Sequence, residues 1–150
     1  MIAARIRKLQ EEVEEQTQRR LQSSKALDVC ASKNEFEGSY ERVEFERLLL
    51  EAHHKYSAAS AEIRRLKTEG ARRMSMGSRS EAVSDKSKAA SKGAISISGI
   101  TLPLKPDFVR MVNNGGHDGV HYFLCLVKYR AQVIATQMLS TVNKHFHLLV

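Results

Sequence analysis

The chain is poor in the residues that build large aromatic cores and covalent frameworks. It has no Trp, aromatics are 6% of its 150 residues, and there are only two Cys and two Pro. Two Cys cannot make a disulfide framework, so a secreted disulfide-rich miniprotein is excluded and a reducing compartment is expected. No apolar run is long enough to span a bilayer as a helix. Residues 1–7, Met-Ile-Ala-Ala-Arg-Ile-Arg, lack the apolar core of a signal peptide. A cytoplasmic, mildly basic chain is the expectation. Apolar residues at 42% and charged residues at 27% stand in the globular range.

The net charge of +7 is unevenly placed. Residues 1–70 carry 13 basic and 13 acidic side chains, residues 71–93 carry 6 and 2, and residues 94–150 carry 5 and 2. Pro103 and Pro106 both fall in the last part. Three regions follow: a hairpin over 1–70, a flexible basic linker over 71–93, and a β-rich region over 94–150.

From Ile2 to about Cys30 there is neither Pro nor Gly, and Ile2, Ile6, Leu9, Val13, Leu27 and Cys30 recur at helical spacing. Between Val13 and Leu27 the stripe meets Gln16, Arg20 and Ser23, which argues against a long two-stranded coiled coil of this segment alone. Residues 31–38 break the pattern. Ser39 then offers a helix N-cap, with Glu41 near the positive end of the helix dipole. Phe45, Leu49, Ala52, Tyr56, Ala59, Ile63 and Leu66 step by alternating fours and threes, and Gly70 is the expected stop. Two such helices with a short connection predict an antiparallel coiled-coil hairpin. A structural coiled coil that oligomerises through the Phe45–Leu66 stripe is one function this pattern allows.

Residues 70–93 are dominated by small and charged side chains, too few of them apolar to repay ordering, so disorder is expected. Arg72-Arg73-Met74-Ser75 fits a basic-directed kinase site at Ser75, although Ser-rich linkers generate such matches freely. The basic excess predicts at most weak, salt-sensitive contact with anionic lipid or nucleic acid, and no nucleic-acid partner is expected.

Ile95 to Leu104 alternates, with a phase break at Gly99 that reads as a β-bulge, and the two prolines end the strand or mark an edge. Asn113 to Gly119 is a turn or loop, and His121–Val127 and Gln132–Leu139 read as strands. A sandwich takes about 100 residues and seven strands. The expected fold class is therefore α+β: a helical hairpin, a disordered linker and an incomplete antiparallel β-sandwich.

Little chemistry is signalled. There is no phosphate-binding Gly loop, HExxH or CxxC, Cys30 and Cys125 read as small buried residues, and no catalytic triad is indicated by spacing. His53 and His54 adjoin on a helix and point apart, and His145 and His147 have no third ligand nearby, so no metal or cofactor is expected. The chain reads as non-enzymatic.

Two stretches carry a family resemblance. Ile95-Ser-Ile-Ser-Gly-Ile-Thr-Leu-Pro-Leu-Lys-Pro-Asp-Phe-Val109, with Val133-Ile-Ala-Thr-Gln-Met-Leu-Ser-Thr141, resembles the start of the C-two-type β-sandwich of the anillin homology region. Ala26-Leu-Asp-Val-Cys30, Gly38-Ser-Tyr-Glu41, Glu44-Phe-Glu-Arg-Leu-Leu-Leu50 and Leu66-Lys-Thr-Glu-Gly70 are similar to the Rho-binding hairpin of the same family. The resemblance implies binding of a Rho-family GTPase in its GTP form, through Ala26 and Glu44, with Glu41 and Arg47 beside them. It implies a scaffold of cytokinesis at the cell cortex and cleavage furrow, and in the nucleus in interphase. By family, the actomyosin ring, septins and phosphoinositide membranes are further partners, although the segments for these are mostly missing from this sequence, which resembles a truncated or alternatively spliced form. A rhotekin-type Rho effector is the near alternative.

Overall fold

The computed structural model describes residues 2–76, 96–101, 103–114 and 120–141. Helix α1 spans Ile2–Ala31 and α2 spans Tyr40–Met76, separated by one 3-10 turn at Asn34–Phe36. The short helix α3 covers Pro106–Asn113. Four short strands follow: β1 Tyr122–Phe123, β2 Leu126–Tyr129, β3 Gln132–Ala135 and β4 Leu139–Ser140. The fold is α+β, two long packed helices followed by small antiparallel strands.

The turn between the helices is built locally. Ser32 N donates to Asp28 O at 3.1 Å, Phe36 N to Lys33 O at 3.2 Å and Ser39 N to Phe36 O at 3.1 Å. Gly38 sits at φ 71°. No heavy atom lies near where its Cβ would be, so the glycine is needed for its backbone conformation and not for space. Ser39 caps α2 as expected, its Oγ accepting from Arg42 N at 3.2 Å.

The two helices run antiparallel and face each other through seven-residue steps. Gln16, Ser23 and Cys30 are buried on α1, and Ala52, Ala59 and Leu66 are buried on α2. Ser23 and Ala52 line one cavity. One heptad further along each helix, Gln16 comes level with Ala59. Gln16 and Ser23, from the polar stretch that argues against a coiled coil of this segment alone, therefore sit inside the seam with α2. The reason is volume: alanines on α2 let the backbones approach and leave room for Gln16 and Ser23. Of the Phe45–Leu66 stripe, Ala52, Ala59 and Leu66 are buried, while Phe45, Leu49, Tyr56 and Ile63 stay half-buried. Helix α2 also runs past Gly70 to Met76, so the first residues of the expected linker are helical. Residues 77–93 of that linker lie outside the described residues.

Among the described residues of 96–105 there is no extended strand, only one bridge at Ile100. Gly99, read as a bulge, does adopt a left-handed φ of 72°. Pro106 does not end a strand but opens α3, where its missing N–H is no loss. Val109 N donates to Lys105 O at 3.1 Å in that first turn. The two expected strands of 121–139 are each split. Cys125 N donates to Thr136 Oγ1 at 3.1 Å, and Thr136 N to Cys125 O at 3.0 Å. A side-chain hydroxyl thus replaces a backbone carbonyl and interrupts the ladder. Beyond it β1 pairs antiparallel with β4, Tyr122 opposite Ser140 and Phe123 opposite Leu139.

The chain divides into two compact units. One joins α1 and α2 with residues 127–134, the turn end of the β2–β3 hairpin; the other holds α3, β1 and β4.

Candidate functional site

The expected site residues lie on the helical hairpin. On α2, Glu44, Arg47, Glu51 and Lys55 follow at steps of three and four and share one face. Arg47 Nε donates to Glu44 Oε2 at 2.9 Å, Arg47 Nη2 to Glu44 Oε1 at 2.5 Å, and Arg47 Nη1 to Glu51 Oε2 at 3.0 Å. Lys55 Nζ lies 2.6 Å from the other oxygen of Glu51. The result is a four-residue ladder of alternating sign, half-buried along its length.

The ladder holds its carboxylates ionised. The hydrogen bond from Arg47 keeps Glu44 below its ordinary value of 4.5, against a smaller opposing effect of burial. Burial pulls Glu51 upward, but Lys55 and Arg47 together outweigh it and leave its pKa lowered. Arg47 is raised in turn by Glu44.

A cavity of about 360 Å³ adjoins the ladder, lined by Gln16, Arg19, Gln22 and Ser23 of α1 and by Leu48, Glu51, Ala52 and Lys55 of α2. Ala26 lies four residues beyond Gln22, and Glu44 four before Leu48, so both continue this face toward the interhelical turn. Ala26 is half-buried and Glu41, in the first turn of α2, is exposed. Glu44 is not a free, solvated carboxylate, because Arg47 already holds both of its oxygens. Two residues of this face went unread in the sequence. Val29, three beyond Ala26, is 55% exposed, and Tyr40, four before Glu44, is 62% exposed. Carrying the same three-and-four spacing outward from the two expected positions would have found them.

The opposite side of the hairpin holds a second groove of about 710 Å³, between Thr17, Arg20, Leu21 and Ser24 on α1 and Glu46, Leu49, Leu50 and His53 on α2. Arg20 stacks over the Tyr56 ring at 4.8 Å.

Further along α2, Glu62 is buried and accepts from Arg65 Nε at 2.8 Å and Nη2 at 2.7 Å. Arg5 of α1 stands 3.9 Å away. The Arg65 hydrogen bond chiefly lowers the Glu62 pKa, with Arg130 and Arg5 adding attraction. The His53 and His54 rings do not point apart but meet edge-on, with centroids 5.5 Å apart. His54 Nδ1 lies 2.8 Å from Lys128 Nζ. An ammonium can only donate, so that nitrogen is the acceptor of a neutral ring. Among the described residues no group of three or more His, Cys, Asp or Glu is placed to hold a metal. Both cysteines are free thiols, Cys30 buried and Cys125 half-buried. Ser75 lies in the last turns of α2, and His145 and His147 lie outside the described residues.

Known proteins meet the chain in both of its halves. Residues 91–148 match the family described as cell division protein anillin. Anillin of Drosophila melanogaster is 38% identical over 137 residues, covering 91% of this chain and 10% of that protein. Anillin of Mus musculus is 37% identical over 123 residues, covering 81% and 11%, and anillin of Homo sapiens is 34% identical over 143 residues, covering 95% and 12%. The chain belongs to the anillin family. Its match to these relatives extends well beyond the β region and takes in most of the helical hairpin. The anillin-family chain spans about a tenth of the length of the curated relatives it matches.

Proposed function

We propose that this anillin-family chain is a non-enzymatic scaffold segment of cell division whose helical hairpin binds a Rho-family GTPase in its GTP form. The observation that carries the reading is the single face that holds Ala26 together with Glu44 and Arg47. On that face a methyl side chain allows a partner backbone to come close, and a ladder of both charge signs offers directed hydrogen bonds. Tyr40 and Val29 add exposed apolar area at its rim. Preference for the GTP form follows if the partner's switch loops, ordered by the γ-phosphate, are what the face contacts. Recruitment to the cortex and cleavage furrow, with the actomyosin ring, septins and phosphoinositide membranes as wider partners, belongs to the same proposal.

The test is binding of the full chain to Rho loaded with GTP analogue or GDP, alongside Ala26→Asp and Glu44→Lys. Binding confined to the GTP form and lost in both variants supports the reading, provided both keep their helical circular dichroism. Equal binding to both nucleotide forms, or none, overturns it.

A further inference from the structure

The groove on the opposite side of the hairpin is a different kind of surface. Its centre is leucine: Leu21 is 49% exposed and Leu50 43% exposed, with Leu49 between the helices beside them. Single exposed leucines are ordinary, but here they share one groove. Its charges are placed with a specific symmetry. Arg20 lies over Tyr56, ten residues and so about 15 Å along α2 from Glu46. One cation thus stands at one end of the leucine cluster and one carboxylate at the other. The side chain of Glu46 is 56% exposed, and it pairs with Arg42 at 3.3 Å, a solvent-exposed contact of little weight.

An axis of two-fold symmetry through the leucines and perpendicular to the helices brings Arg20 of one copy against Glu46 of the other, twice. That is the self-complementarity an isologous interface requires. From this arrangement we propose that a second copy of this chain docks on the groove, pairing two hairpins into an antiparallel four-helix assembly. The interface lies across the hairpin from Ala26 and Glu44, so pairing leaves that face open. The patch is small, and a dimer dissociating on the order of tens of micromolar is expected.

Sedimentation equilibrium of the full chain, from about 1 µM to 1 mM, reads the association directly. Arg20→Glu sets carboxylate against carboxylate, and Glu46→Arg sets guanidinium against guanidinium, so each variant alone is expected to associate at least tenfold more weakly. An equimolar mixture of the two variants restores both opposite-sign pairs and is expected to dimerise like the parent. Leu50→Gln weakens association without altering charge. Far-UV circular dichroism confirms that each variant keeps its helices. A parent chain that stays monomeric throughout overturns the proposal. So does a dimer indifferent to these substitutions, or a mixture that fails to recover. GTPase binding measured on the same variants is expected to be unchanged; its loss in Leu50→Gln, with the dimer intact, assigns the groove to the GTPase and overturns the proposal as well.

Discussion

Arg47 holds Glu44 with two nitrogens on two oxygens and keeps a third contact, from Nη1, for Glu51. A substitution at Glu44 therefore alters the helix surface as well as any partner contact. Arg47→Ala is expected to move the Glu44 pKa back up toward 4.5 and to cost about 0.5–1 kcal/mol of stability, the range of helical ion pairs with partial exposure. Carboxyl-carbon NMR titration reads the first and chemical denaturation the second. In Rho binding, an Arg47→Ala variant that weakens affinity while Glu44→Gln does not would mark the guanidinium, and not the carboxylate, as the contact.

Acid should unfold the hairpin through its lowered carboxylates. Glu44, Glu51 and Glu62 all have folded-state pKa values below their ordinary 4.5. Each binds fewer protons folded than unfolded, so its contribution is complete above about 4.5 and is lost as pH falls through the depressed folded value. Glu62 is the most buried of the three. Glu62→Gln is expected to lose about 1–2 kcal/mol at pH 7, through weaker hydrogen bonds to Arg65, and to flatten the acid limb of the stability profile. Thermal denaturation of both proteins between pH 2 and 7 checks this. A Glu62→Gln profile parallel to the parent would show that Glu62 does not set the limb.

His54 predicts a second, milder pH dependence. Burial is the main cause of its lowered pKa, with the Lys128 and His53 charges adding to it. Its folded pKa lies below 6.5, so the folded state disfavours the proton. The stability tied to the neutral ring is therefore present above 6.5 and lost as pH falls through the folded value. Lys128→Met removes one repelling charge and is expected to raise the His54 pKa. Histidine-ring NMR titration of parent and variant measures the shift, and an unchanged midpoint would mean that the Lys128 contact is not formed in solution.

Which features were legible in the sequence follows from their range. The break over 31–38 and the Ser39 cap depend on neighbours within a few residues, and both were readable. The C-terminal end of α2 was not, because Gly70 within a helix costs only about 1 kcal/mol and nothing near the glycine fills the space of its missing side chain. The split strands depend on Thr136 reaching Cys125, eleven residues away, and alternation carries no trace of that bond. For the candidate site, Ala26 and Glu44 were named through resemblance to a family, and helix periodicity explains why they share a face. Their engagement was invisible: a sequence shows that Glu44 and Arg47 are three apart, not that Arg47 has already taken both oxygens.

Gln16 and Ala59 are both buried in the hairpin, and they make opposite predictions. Gln16 Nε2 donates to Glu12 Oε1 at 2.9 Å, while Gln16 Oε1 is buried with no donor among the described residues. An unmet buried acceptor costs on the order of 1 kcal/mol or more, so Gln16→Met, of similar volume, is expected to stabilise the fold by about 1 kcal/mol. The corresponding rise in Tm is about 3 °C. Ala59 has no exposure at all, and a larger side chain there must push the helices apart. Ala59→Leu is expected to destabilise by about 1–3 kcal/mol. Calorimetry on both variants checks the pair. If Gln16→Met lowers Tm as well, the glutamine amide is contributing a hydrogen bond across the seam, and the layer is held by polarity and not by the small volume of its alanine.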